Sequence, residues 1–331
     1  MRAASVVGER KIEVRKVPDP AIDKDEVLIK IKYCGICGSD LHVYKSGAAI
    51  AMGHEISGDI AAVGAEVKGW KVGDRVLPTG RGGCGGCVWC KRGKAELCEV
   101  CFNDFMESMG CYTTYTKFKH TQLYKLPDSM SYEEAALVEP TSCSLHAVRR
   151  SGMRKGDTVA VFGLGAIGQL AVRVAKALGA RAVYASEISP ARIALARGEA
   201  DEVIDANITN PVERILELTD GTGTDIVLEC AGSVPTTQQA MATIRKAGTI
   251  VIVGICFDWV SLPVNNIMLK ELTVTGALNS TVDEFTESFE LIRDKKINVA
   301  SLATHKIPLD EINEAFEIAI RGECGKIMIE P

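Results

Sequence analysis

Hydrophobic and polar positions alternate in three short N-terminal stretches, Arg2–Val6, Lys11–Arg15 and Glu26–Tyr33. In the last of these Val27, Ile29 and Ile31 share one face, the period of a half-buried strand. Glycine crowds the stretch Gly47–Gly93 and no helical period develops there, so the first 130 or so residues read as a turn-rich β domain of strands and turns. The texture changes after Pro140. An apolar run at Val159–Gly163 leads into a helix pattern over Ala166–Leu178. A strand-like segment Arg181–Ser186, a helix at Pro190–Ala196, a strand at Glu202–Asp205 and a helix at Pro211–Leu218 follow. Asp225–Cys230, a helix around Thr236–Lys246, Thr249–Gly254 and Leu272–Ala277 complete an alternation that predicts a parallel sheet covered on both faces. The tail, from about residue 280, predicts a helix carrying Phe285, Phe289, Leu291 and Ile292 and a strand near His305–Ile307. A helix over Leu309–Ile320 and a closing strand at Gly325–Ile329 end it.

The length of 331 residues is about twice that of one ordinary domain, which makes two domains the expectation. With 47% hydrophobic and 24% charged residues the chain can bury two cores, and global disorder is excluded. A net charge of −5 with no run of five basic residues argues against nucleic acid or a membrane surface as partner. The N terminus reaches Glu9, Arg10 and Lys11 before a signal core forms, and no stretch attains the ~18 apolar residues of a membrane span. A cytoplasmic protein is expected. Its twelve cysteines then read as metal ligands in part and as small core residues otherwise, not as disulfides.

Gly163-Leu164-Gly165-Ala166-Ile167-Gly168 is a G-x-G-x-x-G placed after an apolar run and at the opening of a helix pattern, the context that gives this motif meaning. The first glycine makes the turn, the second admits a pyrophosphate to the backbone, and the third allows close helix–strand packing. Ala166 and Ile167 stand at the helix N-terminus. Glu187 follows Gly168 at the expected spacing, where a carboxylate accepts the ribose hydroxyls of NAD and repels the 2′-phosphate of NADP. Arg192, just beyond, is the remaining candidate cofactor contact.

Cys84, Cys87, Cys90 and Cys98 place four thiols within fifteen residues of a glycine-rich loop, the pattern of a closed structural zinc site. A second set is dispersed: Cys37-Gly38-Ser39-Asp40-Leu41-His42, then Gly53-His54-Glu55, then Glu139-Pro140. Singly these are uninformative.

Together with Val72-Gly73-Asp74-Arg75-Val76, the glycine fingerprint and the terminal Gly325-Lys326-Ile327, they make the chain resemble, nearly end to end, the zinc-dependent medium-chain dehydrogenase/reductase superfamily in its sorbitol, butanediol and threonine dehydrogenase branch. The resemblance implies an α/β fold: a GroES-like β-rich catalytic domain (residues 1–141 and 281–331, its zinc lobe at about 80–100) and a doubly wound Rossmann domain (142–280). It implies two zinc ions per chain and NAD, with the active site in the cleft between the domains. Cys37 and His54 are then ligands of a catalytic zinc. Glu55 lies beside it, and Glu139 takes the last ligand position, directly or through water; Cys143, four residues on, is the alternative. Cys34 reads as a buried strand residue. Ser39 is the implied proton acceptor and His42 the end of a relay through the cofactor ribose. The implied reaction is oxidation of a zinc-bound secondary alcohol or polyol, with a homotetramer or homodimer as the assembly.

One departure bears on substrate. Only sixteen residues, without proline, separate Cys37 from His54. This loop is shorter than the family usually carries, which predicts an opened wall of the substrate pocket. A threonine-type amino-alcohol dehydrogenase and a primary-alcohol dehydrogenase are the rival enzymes. A zinc-ribbon binding or redox-sensor protein is the rival from another class.

Overall fold

The computed structural model describes residues 1–80 and 82–331, and the chain forms two compact units. One comprises Met1–Glu139, Thr281–Lys295 and Val299–Pro331; the other comprises Pro140–Ser280 and Lys296–Asn298.

The first unit is organised by the strand Glu26–Gly35. Val27, Ile29 and Ile31 of that strand are buried, as their alternation requires. It pairs antiparallel with Glu55–Val63, Tyr115–Lys119 and the C-terminal strand Lys326–Glu330. The sheet runs Ala303–Pro308, Lys326–Glu330, Glu26–Gly35, Glu55–Val63, Arg75–Pro78 and Leu123–Lys125, with Tyr115–Lys119 joined to Glu26–Gly35 as a branch. Register fixes the tail: Met328 lies opposite Gly35 and Ile329 opposite Cys34. A separate hairpin, Arg2–Gly8 with Lys11–Lys16, closes over a core that contains Cys34, Tyr44, Tyr112 and Phe316.

Strands and turns are not the whole of this region. Helices occupy Gly38–Ser46 and Glu99–Met106. The first was invisible to periodicity because it buries only Asp40 and Tyr44, one polar and one aromatic residue, and so has no apolar stripe. The second opens directly from the four-cysteine loop, with Cys98 as its N-cap.

The second unit is the expected parallel sheet. Its six strands run Glu202–Asp205, Ala182–Glu187, Thr158–Phe162, Thr224–Glu229, Ile244–Ile252, Thr273–Gly276, every neighbouring pair parallel. All five residues of Thr158–Phe162 are buried, as a strand covered on both faces demands. Chain order reverses at this strand, so its carboxyl end opens the crevice where doubly wound sheets bind ligands. The helix placed around Thr236–Lys246 is in fact Val234–Thr243, and the next strand begins at once with Ile244. Ile244 packs into the sheet core, so its place in the apolar pattern served the strand. Among the described residues, no helix is long and apolar enough to cross a membrane.

Candidate active site

The glycine loop joins the buried strand Thr158–Phe162 to the helix Ala166–Ala177. Gly163 has φ +88°, and a Cβ there would sit 2.7 Å from Ala231. At Gly168 a Cβ would come within 1.8 Å of the Gly163 carbonyl, which is the close packing expected of the third glycine. At Gly165, the helix N-cap, nothing lies within 4 Å of the missing Cβ. That open approach to a helix N-terminus is the cradle a pyrophosphate needs. The residues present therefore fit a dinucleotide.

Glu187 ends the strand Ala182–Glu187 and is buried. Its Oε2 accepts from Leu164 N at 2.7 Å, and its Oε1 accepts from Ile188 N at 2.7 Å and Ser189 N at 3.0 Å. The side chain thus ties the glycine loop to its own strand end, a task the sequence reading did not give it. Oε1 already has two donors, whereas Oε2 keeps a second lone pair for a ribose hydroxyl. Arg192 lies on the helix Pro190–Ala196, and its carbonyl accepts from Gln169 of the fingerprint helix at 2.7 Å.

In the cysteine loop the Sγ atoms of Cys84, Cys87, Cys90 and Cys98 lie within 4.8 Å of one another. Backbone N–H groups donate to three of them: Cys84 N to the Cys98 sulfur, Cys87 N to the Cys84 sulfur and Cys90 N to the Cys87 sulfur, at 3.3–3.5 Å. Gly83, at φ +66°, lets the chain pass the Cys90 sulfur, where a Cβ would stand at 2.5 Å. Four convergent sulfurs fit a tetrahedral zinc with no open position.

The dispersed set also converges. Ligand atoms of Cys37, His54 and Glu55 lie within 4.8 Å of one another. Cys37 is the N-cap of Gly38–Ser46, and His54-Glu55 enters the strand Glu55–Val63, so a helix start and a strand start are aimed at one point. Glu55 is fully buried: Oε1 accepts from Lys326 Nζ at 2.6 Å, and Oε2 has no partner. Lys326 is itself buried and donates also to the Ile36 carbonyl at 2.9 Å. Burial raises the Glu55 pKa against the opposing pull of Lys326, and Glu139 adds to the rise. Burial opposes charging of His54, but Cys37, Asp40 and Glu139 together outweigh it and hold its pKa well above the usual imidazole value. An orphaned buried carboxylate oxygen among a thiol, an imidazole and further acids fits a divalent cation.

Glu139 stands in the first turn of the helix Val138–Arg150, near enough to act electrostatically on His54, Glu55 and Lys326. Cys143 is one turn further along that helix. Ser39 and His42 are three residues apart, so they neighbour one another on the helix Gly38–Ser46. Burial, and then Lys45, lower the His42 pKa. Cys34 is fully buried in its strand.

Two contacts border the short loop before His54. Phe105 of Glu99–Met106 packs edge-on to the His54 ring at 5.8 Å. Cys111 N donates to the carbonyls of Met52 and Gly53, both at 3.0 Å, which clamps the short loop from outside.

Two residues of this centre were not singled out from sequence. Asp40, buried, accepts from Cys37 N and from Gly53 N, each at 3.2 Å, and Lys326 holds Glu55. Both sit inside motifs that were noticed, Cys37–Asp40 and Gly325–Ile327, so the signal was present without a role attached.

Comparison with known proteins agrees along the whole chain. Residues 23–128 match the alcohol dehydrogenase GroES-like domain, and 166–294 match the zinc-binding dehydrogenase family. Sorbitol dehydrogenase of Bacillus subtilis (strain 168) is 35% identical over 100% of this chain and 97% of its own length. The crystal structure of 2R,3R-butanediol dehydrogenase from Bacillus subtilis superposes with a TM-score of 0.88 at 34% identity, covering 100% of this chain and 99% of that one. A zinc-binding dehydrogenase from Sinorhizobium meliloti 1021, described as putative and bound to NADP, gives 0.91 at 28% identity, covering 100% and 99%. Nothing in these similarities supports a zinc-ribbon protein. The chain belongs to the zinc-dependent medium-chain dehydrogenase/reductase family, as an NAD(P)-dependent oxidoreductase acting on CH–OH donors.

Proposed function

We propose that the enzyme transfers a hydride between NAD and a secondary alcohol or polyol and its ketone. The observation that carries this is the convergence of Cys37, His54 and Glu55, with one oxygen of the buried Glu55 left unpartnered. Cys37, His54 and Glu139 would hold the catalytic zinc, with Glu55 beside it, and the four-cysteine loop would hold a second. Bound zinc supplies Lewis-acid stabilisation of negative charge on the substrate oxygen. Ser39 accepts the substrate's hydroxyl proton, and His42, its neighbour on the helix, passes it towards water. The backbone N–H groups at Gly165, Ala166 and Ile167 hold the pyrophosphate, Gly163 and Gly168 shape that turn, Glu187 binds the ribose, and Arg192 lies beside it. The first compact unit is then the GroES-like catalytic domain and the second the dinucleotide-binding domain.

An assembly of two or four copies fits the surface of the second unit. Trp259 is fully exposed and Phe257 is 81% exposed, close in sequence to Met268, Leu269 and the sheet's edge strand Thr273–Gly276. Apolar exposure of this extent beside an open sheet edge suits a second copy of the chain. Twelve cysteines, none in a disulfide, suit a reducing, cytoplasmic setting.

The test is NADH production across ethanol, secondary alcohols, vicinal diols, polyols and amino alcohols. Secondary alcohols with a neighbouring hydroxyl or amine should outrun ethanol, because the second group can approach Glu139. Glu139→Ala should lower kcat by about 10²-fold, the scale of losing a group that tunes a metal's shell. An active Glu139→Ala enzyme beside a dead Cys143→Ala enzyme would transfer the ligand role to Cys143 and the preference to simple alcohols.

Glu187→Ala should raise KM for NAD and narrow the gap to NADP. It removes a ribose acceptor and the bond to Leu164 N together. Steady-state kinetics with both cofactors measures this, and a wild type that used NADP more efficiently would reverse the cofactor assignment.

A further inference from the structure

Asp40 is the hub behind the proposed catalytic metal. Its carboxylate accepts from the backbone N–H of Cys37 and from that of Gly53, the residue before His54, and its Oδ1 lies 4.0 Å from His54 Nδ1. One carboxylate therefore fixes the backbone at one ligand, the residue before the other, and faces that second ligand's ring. A carboxylate can do this only if its own rotation is stopped. Helix Gly38–Ser46 supplies the backbone of Asp40, and its carboxylate reaches back to the N-cap residue Cys37.

The group that stops it comes from far along the chain. Tyr112 donates its hydroxyl to Asp40 Oδ2 at 2.6 Å, the shortest bond Asp40 makes. The Gly35 carbonyl, 3.3 Å from the Tyr112 hydroxyl, is the weaker contact of a group with one proton to give. The ring is fully buried and packs edge-on against Phe316, at 5.8 Å between centroids. On another side it meets Gly53, where a Cβ would stand 3.1 Å from the Tyr112 ring. Gly53 has φ +80°, so glycine at this position serves both the turn into His54 and the seating of the tyrosine. The ring cannot swing away without displacing either.

We infer that Tyr112 is a positioning residue of the catalytic centre, its hydroxyl locking Asp40 so that Cys37 and His54 are held ready for the metal. The inference rests on the assignment of those two residues as ligands. Partners that orient metal ligands commonly contribute ten- to a hundredfold in metal affinity, and Tyr112 stands one step behind such a partner. Its removal should act at the lower end of that range.

The experiment compares wild type, Tyr112→Phe, Asp40→Asn, the double variant and Cys37→Ser, all purified with metal. Metal release to a chromogenic chelator is followed with time, and cobalt-substituted samples give the absorption spectrum of the ligand field. Tyr112→Phe keeps the ring and its packing. It is expected to release one of the two metals about tenfold faster, to leave the other unchanged, and to shift the cobalt spectrum. In the Asp40→Asn background the same change should add little, because the two residues act through one bond. Wild-type release kinetics in Tyr112→Phe, or fully additive effects in the double variant, would overturn the role assigned to Tyr112. Cys37→Ser separates this from the parent assignment: if that variant keeps both metals, the ligand assignment fails, whatever Tyr112→Phe does.

Discussion

Cys37→Ser should yield a folded protein that carries one metal per chain and turns over its substrate at least about 10³-fold more slowly. Stabilisation of charge on the reacting oxygen is worth several kcal/mol, and each 1.36 kcal/mol is about a factor of ten in rate. The fold should survive because Cys37 contributes little to it. The residue is half-exposed and sits at the N-cap of Gly38–Ser46, and serine is among the best N-caps. Cys98→Ser should do the opposite. It removes a buried ligand from a loop whose order comes from the metal, so stability falls first, because metal binding there is folding energy. Elemental analysis, thermal unfolding and turnover of the two variants together check the assignment. Two metals retained by an active Cys37→Ser enzyme would contradict it.

The second large effect is expected at Lys326. Replacing it by methionine leaves Glu55 buried with no ammonium to balance its charge, while burial and Glu139 push its pKa up. Breaking a buried pair by removing one partner costs about 3–5 kcal/mol, which in a protein of this size lowers Tm by roughly 10 °C. The drop should be larger in metal-depleted protein, where no bound cation shares the charge of Glu55. Lys326→Met combined with Glu55→Gln should recover much of the loss, since the charge left unpaired is then gone. Calorimetry of single and double variants, with and without chelator, measures this. A Tm unmoved in the single variant would mean that Glu55 takes up a proton at no cost.

Much of this was legible in the sequence, for separable reasons. The parallel sheet could be read because its central strands are buried on both faces and its helices carry apolar stripes, so the period itself changes along the chain. The convergence of the four-cysteine loop could be read because four cysteines at short spacing have few other uses in a reduced protein. Gly38–Ser46 was hidden, since a helix that buries an aspartate and a tyrosine has no stripe to detect. Glu187 was given a cofactor role from its spacing, but its bond to Leu164 N depends on a loop conformation that spacing does not encode. Tyr112 carried no local signal at all. Its hydroxyl meets a residue 72 positions away, and only the sheet brings the two together.

The strand that delivers Lys326 comes long after the strand that carries Glu55, and this sets an order of events during synthesis. Glu55 leaves the ribosome 271 residues before its partner, an interval on the order of 15–55 s at ordinary elongation rates. Throughout it Cys37, His54 and Glu55 exist without the ammonium that makes burial of the acid tolerable. The nascent centre must stay open to water, or take up a cation early, until Lys326 arrives. Closure of the centre therefore waits on that residue, and a nascent chain that stops before it holds every proposed ligand but lacks the ammonium that balances Glu55.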